Sequence, residues 1–184
     1  MKKITLILLT IFFAVTFTSC RKLDGYDPSP EPVLPVVSSE GRNTFGFMFG
    51  SEVWTHNVYT TSLPILSSTY STSVSSSTLV MVCRRKSPRY SGSIDAFYLR
   101  FAAPDFGTGN FPLNSSNSAA TASVTMADKT ERAYELHNAG LITFIRWDLK
   151  NRIASGTFSL ELKDVHSGDI VAVTDGRFDV KFKN

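Results

Sequence analysis

The carboxyl-terminal part of the chain contains the same alternating pattern twice. Residues 156–162 read Gly-Thr-Phe-Ser-Leu-Glu-Leu, and residues 176–182 read Gly-Arg-Phe-Asp-Val-Lys-Phe. Side chains on a β-strand alternate between faces, so each segment presents three large apolar groups to one side, as in a sheet with one buried face. We expect the two segments to be antiparallel partners in one β domain. The residues predicted to share its buried face are Phe158, Leu160, Phe178 and Val180.

Short apolar runs with strand-like alternation recur along the rest of the chain, separated by turn residues. The runs predicted to be strands span residues 44–49, 53–54, 79–84, 94–101, 122–126, 133–137, 141–147 and 153–162. Their lengths and spacings indicate an all-β fold, either a single antiparallel β-sandwich or a barrel-like domain of the calycin kind. Thirteen of the nineteen residues in 60–78 are Ser or Thr, which favours a long polar loop. Residues 138–140, Asn-Ala-Gly, are predicted to form a turn between two strands.

The amino terminus has the composition of an export signal. A basic start at residues 1–3 precedes an apolar run of fourteen residues, 4–17, which is short for a membrane-spanning helix. Thr18-Ser19-Cys20 follows directly and resembles the lipobox of bacterial lipoproteins. The resemblance implies a lipoprotein signal peptide at residues 1–19 and a lipid anchor on Cys20. An ordinary secretory signal with an incidental cysteine is the alternative.

The segment after the predicted cleavage site reads as a spacer. Four of the eight prolines fall between residues 28 and 35, which predicts a lipid anchor and Pro-rich linker at residues 20–42, ahead of an all-β domain at residues 43–184. Loss of two lysines with the signal peptide lowers the formal charge from +3 to +1. A nearly neutral protein lacks the basic excess typical of nucleic-acid binding, so we expect no nucleic-acid partner.

Cysteine usage agrees with this organisation. Cys83 is the only cysteine besides Cys20, so a lipidated Cys20 leaves no internal disulfide. Cys83 alternates in phase with Leu79 and Met81, which predicts a buried thiol on a strand.

Several short motifs occur in an order that resembles a known family. They are Asn43-Thr44-Phe45-Gly46, Val53-Trp54, Gly109-Asn110-Phe111-Pro112-Leu113, Leu141-Ile142-Thr143-Phe144, Ile153 to Phe158, and Val173 to Val180. Together they resemble an uncharacterised family of Bacteroidetes-type lipoproteins with a carboxyl-terminal all-β domain of unknown function. Lipoproteins of this type imply an outer-membrane location, on the periplasmic face or at the cell surface. The family has no agreed activity, so the resemblance implies no catalytic residues.

The sequence contains no assembled motif for catalysis, a metal or a cofactor. His56, His137 and His166 lack the close spacing of a zinc site, and the loop around His166 lacks the alternating acidic ligands of a calcium loop. The serines lack the Gly-x-Ser-x-Gly context of a hydrolase nucleophile. We therefore predict no catalytic residue, no metal ligand and no cofactor.

A run of cations at one predicted hairpin tip is the feature most suggestive of a binding site. The four cations are Arg84, Arg85, Lys86 and Arg89. Grouped guanidinium and ammonium groups bind a phosphate or carboxylate of a glycan or lipid headgroup through charge-assisted hydrogen bonds. A solvated loop that keeps the strand end soluble is the alternative.

These features predict a non-enzymatic binding or accessory module of the cell envelope. Its lipid would attach it to a membrane, and its partner would be a glycan or an envelope protein. A calycin-like carrier of a small apolar ligand is the alternative, and a hydrolase is a third hypothesis. The interior discriminates between the first two, because a carrier needs an open apolar cavity of about 300 Å³ or more.

Overall fold

The computed structural model describes residues 32–56, 65–90 and 92–184, and within these ranges the chain forms strands, turns and irregular segments without an α-helix. The strands are β1 (Thr44–Phe49), β2 (Glu52–Thr55), β3 (Leu66–Thr72), β4 (Ser77–Lys86), β5 (Ile94–Ala103), β6 (Gly109–Leu113), β7 (Ser118–Thr125), β8 (Glu131–Asp148), β9 (Ile153–Asp164) and β10 (Ile170–Lys181). The all-β expectation is confirmed. A search of the described residues for a helix long and apolar enough to cross a membrane finds none. The predicted signal peptide and Cys20 lie outside the described residues.

The strands form one antiparallel sheet that curls on itself. Its order is β2-β1-β10-β9-β8-β7-β5-β4-β3, with β6 paired to β8. The curl brings β3 against the carboxyl terminus, where Tyr70 N donates to Lys183 O at 2.7 Å and Lys183 N donates to Ser68 O at 3.0 Å. Further along, Nη1 of Arg85 on β4 donates to Val53 O of β2 at 3.0 Å. These links tie the edge strand β3 to the chain after β10 and the edge strand β2 to β4, so the sheet curls into the barrel-like form of the prediction.

The twin segments at the carboxyl terminus pair as predicted. Strands β9 and β10 are antiparallel, with a bulge between Val173 and Gly176. Phe158, Leu160, Phe178 and Val180 are all buried on the inner face. A Cβ on Gly156 would lie 1.9 Å from Thr143 O, and one on Gly176 would lie 2.5 Å from Phe158 O. Glycine at these two positions therefore permits the close approach of neighbouring strands.

Aromatic side chains fill the interior of the curled sheet. The large aromatic residues that are fully buried are Phe45, Phe47, Trp54, Phe97, Phe101, Phe144 and Phe178. The ring centre of Phe47 lies 4.5 Å from that of Phe97 and 5.3 Å from that of Trp54. At the other end of the sheet, Phe106 stacks on Trp147 with centres 4.5 Å apart. Ring contacts at these distances leave the core packed by side chains along its length.

Three segments differ from the sequence-based prediction, the first of them Gly109–Leu113, which is strand β6 although it is not among the predicted strands. The Ser/Thr-rich segment is not a loop throughout, because Leu66–Thr72 is strand β3, paired with β4. Backbone pairing tolerates small hydroxyl side chains, and Leu66 and Tyr70 pack against the core. Residues 138–140 are not a turn but a bulge within the continuous strand β8. Bulges and turns favour the same residue types, and Asn138 adopts a positive φ of 58°, which asparagine tolerates in both.

The segment of residues 32–42, called the strap below, lies along the outer face of the sheet. Nη1 of Arg177 donates to Pro35 O at 3.0 Å, and Nη1 of Arg146 donates to Ser39 O at 2.7 Å. The strap belongs to the predicted linker at residues 20–42, whose first part lies outside the described residues. Its contacts show that the second part of that linker packs on the domain.

A buried carboxylate holds the strap. Asp179 is 1% exposed although it lies on the outer face of β10, because the strap covers it. The donors to its carboxylate are Ser38 Oγ and the backbone nitrogens of Glu40 at 3.0 Å, Gly41 at 2.7 Å and Arg42 at 3.2 Å. Burial by itself would raise the pKa of Asp179, but these hydrogen bonds hold it below its usual value.

Candidate anion-binding site

An opposite-charge pair faces the interior of the sheet where β4 ends and β5 begins. Arg85 and Asp95 face each other across the two strands as register partners. Their side chains are 3% and 0% exposed, and Arg85 Nε donates to Asp95 Oδ2 at 3.3 Å. The other oxygen of Asp95 accepts the Thr125 N–H at 2.9 Å. The pair satisfies the rule that charges inside a protein are paired and hydrogen-bonded.

Strand β2 supplies three further contacts to Arg85. The guanidinium carbon lies 4.0 Å from the centre of the Trp54 ring, within the range of a cation–π interaction. Nη1 donates to Val53 O, and Nη2 forms an ion pair with Glu52 Oε1 at 2.6 Å. Arg85 therefore connects β4 to the free edge of β2.

A second arginine reaches the same carboxylate from the β4–β5 loop. Nη2 of Arg89 pairs with Glu52 Oε2, and both side chains are 29% exposed. Ser87 positions the loop, since its Oγ donates to Thr125 O at 3.1 Å and accepts the Arg89 N–H at 3.3 Å. Two guanidinium groups thus converge on Glu52 at the surface end of the buried pair.

An opening of about 190 Å³ lies beside these groups and is called the cationic opening below. Its lining residues are Pro32, Glu52, Val53, Thr55, Arg85, Lys86, Pro88 and Arg89. Pockets that hold a whole small molecule are usually about 300 Å³ or more, and one water occupies about 30 Å³. The cationic opening therefore has room for one charged group of a ligand with a few waters.

Several polar atoms at this opening are buried and have no hydrogen-bond partner within the described ranges. They are Arg85 Nη2, Arg89 Nη1 and Glu52 Oε1. Arg85 Nη2 and Glu52 Oε1 are nevertheless ion-paired with each other at 2.6 Å, and Arg85 Nη2 also lies 3.3 Å from Asp95 Oδ2. Arg89 Nη1 is therefore the buried donor at the opening that can take an additional anionic oxygen as its partner.

The structure brings three of the four predicted cations to one place. Arg85, Lys86 and Arg89 line the opening, whereas Arg84 does not. Glu52 and Asp95 are the carboxylates that pair with the two arginines. The anion-binding role of the run remains a prediction, now restricted to three residues around the cationic opening.

Cys83 is a buried strand thiol, as predicted. It is 0% exposed, and burial raises its pKa to about 12, although the neighbouring Trp54 and Arg85 oppose the rise. A thiol of this kind stays protonated and unreactive at neutral pH. Its position supports a packing role beneath Trp54.

The sequence analysis did not identify Glu52, Trp54 and Asp95 as partners of the cations. The alternation of side chains along the strands could have identified Asp95. Asp95 shares the inward phase of Phe97, and Arg85 shares that of Cys83, so both charges occupy core positions. Two opposite charges in core phase on adjacent strands indicate a buried pair.

Other surface features offer weaker grounds for a site. An open groove of about 370 Å³ lies on the outer face around Leu141, Thr157 and Arg177. It is larger than the cationic opening, but it holds no buried donor that lacks an acceptor, and Arg177 donates to the strap. Within the described part of the chain, no three His, Cys, Asp or Glu side chains are grouped closely enough to hold a metal ion. His166 lies in the turn after β9, as predicted.

Comparisons of the chain with protein-family models, with curated proteins and with solved structures found no match. The functional argument therefore depends on the geometry of the cationic opening and on the sequence.

Proposed function

We propose that the chain is a lipid-anchored, non-enzymatic binding module of the cell envelope. In this proposal Cys20 carries the lipid, the outer membrane holds the protein, and the cationic opening takes an acidic group of a glycan or of another envelope component. The observation that carries the binding role is the buried Nη1 of Arg89, which lacks an acceptor among the described residues and lies beside an opening of matching size. The resemblance to Bacteroidetes-type lipoproteins supports the location.

The packed interior favours this role over that of an apolar carrier. A carrier of the calycin kind holds its ligand inside the barrel. Here Phe47, Phe97 and Phe158 contact one another at ring-centre distances of 4.5 to 6.0 Å where such a ligand would lie. A polar ligand bound at the surface is compatible with this core, whereas an internal apolar ligand would have to displace buried rings.

The anchoring half of the proposal is tested by fractionation. Wild-type protein should partition with outer membranes, and mass spectrometry should find an acylated amino terminus at Cys20. Two long acyl chains make attachment effectively permanent, since each buried methylene contributes about 0.8 kcal/mol. The Cys20→Ala variant should lose the acyl mass and the membrane association. Recovery of the wild type as soluble, unacylated protein would refute the anchoring.

The binding half is tested with an array of neutral, carboxylated and phosphorylated glycans. Wild-type protein should bind acidic glycans and ignore their neutral counterparts, because the opening offers a buried arginine donor that lacks an acceptor in the described part of the chain. The Arg89→Gln variant should lose most of that binding. Arg84→Gln is the matched control, since it removes the same charge from a residue of β4 that does not line the opening, and it should bind like the wild type. Equal loss in both variants would indicate a general charge effect and refute a specific site.

A further inference from the structure

The strap carries the start of the described chain to the cationic opening. Gly41 lies against Lys181 at the carboxyl end of β10, Pro35 accepts a hydrogen bond from Arg177, and Pro32 lines the opening. Followed backwards from Gly41 to Pro32, the strap therefore runs along the outer face from the carboxyl end of β10 toward the end where β10 begins. The chain thus enters the described structure beside the cations.

The end of the sheet where the cationic opening lies also holds four connections between consecutive strands, and it is called the hairpin end below. Antiparallel pairing places together the connections β1–β2, β4–β5, β7–β8 and β9–β10. The β4–β5 connection carries Arg89, and β2 begins there with Glu52. The hairpin end therefore combines the entry point of the chain with the cationic opening.

The chain between the proposed lipid and this entry point is short. Cys20 precedes Pro32 by twelve positions. A chain spans at most about 3.6 Å per residue, so Pro32 lies within about 43 Å of an acylated Cys20, whatever the arrangement between them. Short tethers raise the effective concentration of a tethered site at a nearby surface to about the millimolar range. At that effective concentration, a site with only weak affinity for a membrane component would be occupied.

We infer that the hairpin end faces the lipid layer that holds Cys20, and that the cationic opening takes a headgroup phosphate of that layer. This inference rests on the proposed function and names its ligand class. A phosphate offers an anionic oxygen to Arg89 Nη1, which is buried and has no hydrogen-bond partner within the ranges that the structure describes. An anionic lipid surface also attracts cations such as Lys86 and Arg89, which line the opening.

The orientation is measured on the acylated protein in vesicles. Single cysteines are introduced by Ser51→Cys at the hairpin end and by Lys150→Cys at the opposite end, both at exposed positions, and are labelled with a fluorophore. Cys83 is buried and does not compete for the label. The vesicles contain phosphatidylcholine with or without phosphatidic acid, and a nitroxide on the headgroup of a tracer lipid quenches fluorophores near the surface.

In vesicles with phosphatidic acid, the label at position 51 should be quenched several-fold more than the label at position 150. The difference should shrink when Arg89→Gln is added and persist when Arg84→Gln is added. A difference that survives Arg89→Gln would show that the opening does not hold the headgroup, and equal quenching at the two positions would overturn the orientation.

A second arm separates failure of this inference from failure of the proposed function. Inorganic phosphate should raise the midpoint of thermal unfolding of the wild type but not of Arg89→Gln. If phosphate stabilises the wild type while quenching is equal at both ends, the opening binds a soluble anion, so the headgroup inference fails and the binding function stands. If phosphate also has no effect and the acidic glycans do not bind, both fail.

Discussion

The guanidinium group of Arg85 lies 4.0 Å from the centre of the Trp54 ring, inside an otherwise apolar sheet. The ring covers one face of the guanidinium, and the nitrogens at its edge reach Val53 O, Asp95 and Glu52. A planar cation with several donors suits this arrangement, whereas a lysine ammonium does not. The same residue links β4 to β2 and holds Glu52 beside the cationic opening.

Removal of this arginine should destabilise the domain strongly. Arg85→Met leaves Asp95 buried without its cation, and breaking a buried pair in this way costs about 3–5 kcal/mol. Urea unfolding followed by tryptophan fluorescence measures the change in the free energy of unfolding. Arg84→Met, on the outer side of β4, should change it by about 1 kcal/mol or less. Equal losses would contradict the assignment of Arg85 as the buried partner.

The buried face of the β9–β10 hairpin predicts a second stability difference. Phe178 is 2% exposed and packs on Phe158, so Phe178→Ala should lower the free energy of unfolding by about 3–5 kcal/mol. Ser159 is exposed on the outer face of β9, and Ser159→Ala should stay within about 0.5 kcal/mol of the wild type. The same urea titration compares both. A large effect of Ser159→Ala would mean that the strand phase is wrong.

Cys83 should report unfolding through its reactivity. Burial raises its pKa to about 12 and removes it from solvent, so iodoacetamide should not modify it in the native protein at neutral pH. Denaturant should expose the thiol, and alkylation should then follow the unfolding transition. Mass spectrometry of samples quenched along the titration measures this. Rapid alkylation without denaturant would contradict the burial of the thiol in the native protein and would show that β4 separates locally from its neighbours.

Acidification should weaken the attachment of the strap. The pKa of Asp179 is lower in the folded protein than in the unfolded chain, where it is near 3.9. Its contribution to stability is therefore complete above about pH 4 and is lost as the pH falls through the lowered folded value. Asp179→Asn should lower stability by about 1–3 kcal/mol at neutral pH, because some of the strap N–H groups lose their acceptor. Urea unfolding at neutral and acidic pH should show the gap between variant and wild type narrowing in acid.

Alternation along the chain predicted most of the strands, but it could not predict where polar segments pair. The Ser/Thr run predicts a loop where strand β3 lies, because its sequence has little apolar periodicity. Its pairing with β4 depends on backbone groups and on the anchoring of Leu66 and Tyr70 in the core. The Gly140 region was interpreted as a turn, since a bulge uses the same residue types.

The cation run was recognised from the sequence, and its neutralising partners were not. Arg85 and Asp95 follow the inward phase of their strands, so local parity contained that signal. Glu52 lies on a different strand, and the residues around it in the sequence do not indicate its role. The burial of Asp179 was likewise beyond local pattern, because its donor Gly41 lies 138 residues away and alternation alone places Asp179 in solvent.

The most direct test of the binding role is a titration of the wild type with inorganic phosphate, followed by two-dimensional nitrogen–proton NMR. Saturable shifts should appear at the amides of Val53, Arg85 and Arg89 and at the Nε–H signals of the two arginines. A charge-assisted hydrogen bond is worth about 1.5–3 kcal/mol, so Arg89→Gln should raise the dissociation constant about tenfold to a hundredfold. Arg84→Gln should leave it unchanged. Glu52→Gln should lower the dissociation constant, because it removes the carboxylate that competes with phosphate for the guanidinium group. Shifts that are absent, or that are equally affected by Arg84→Gln and Arg89→Gln, would contradict an anion site at the cationic opening.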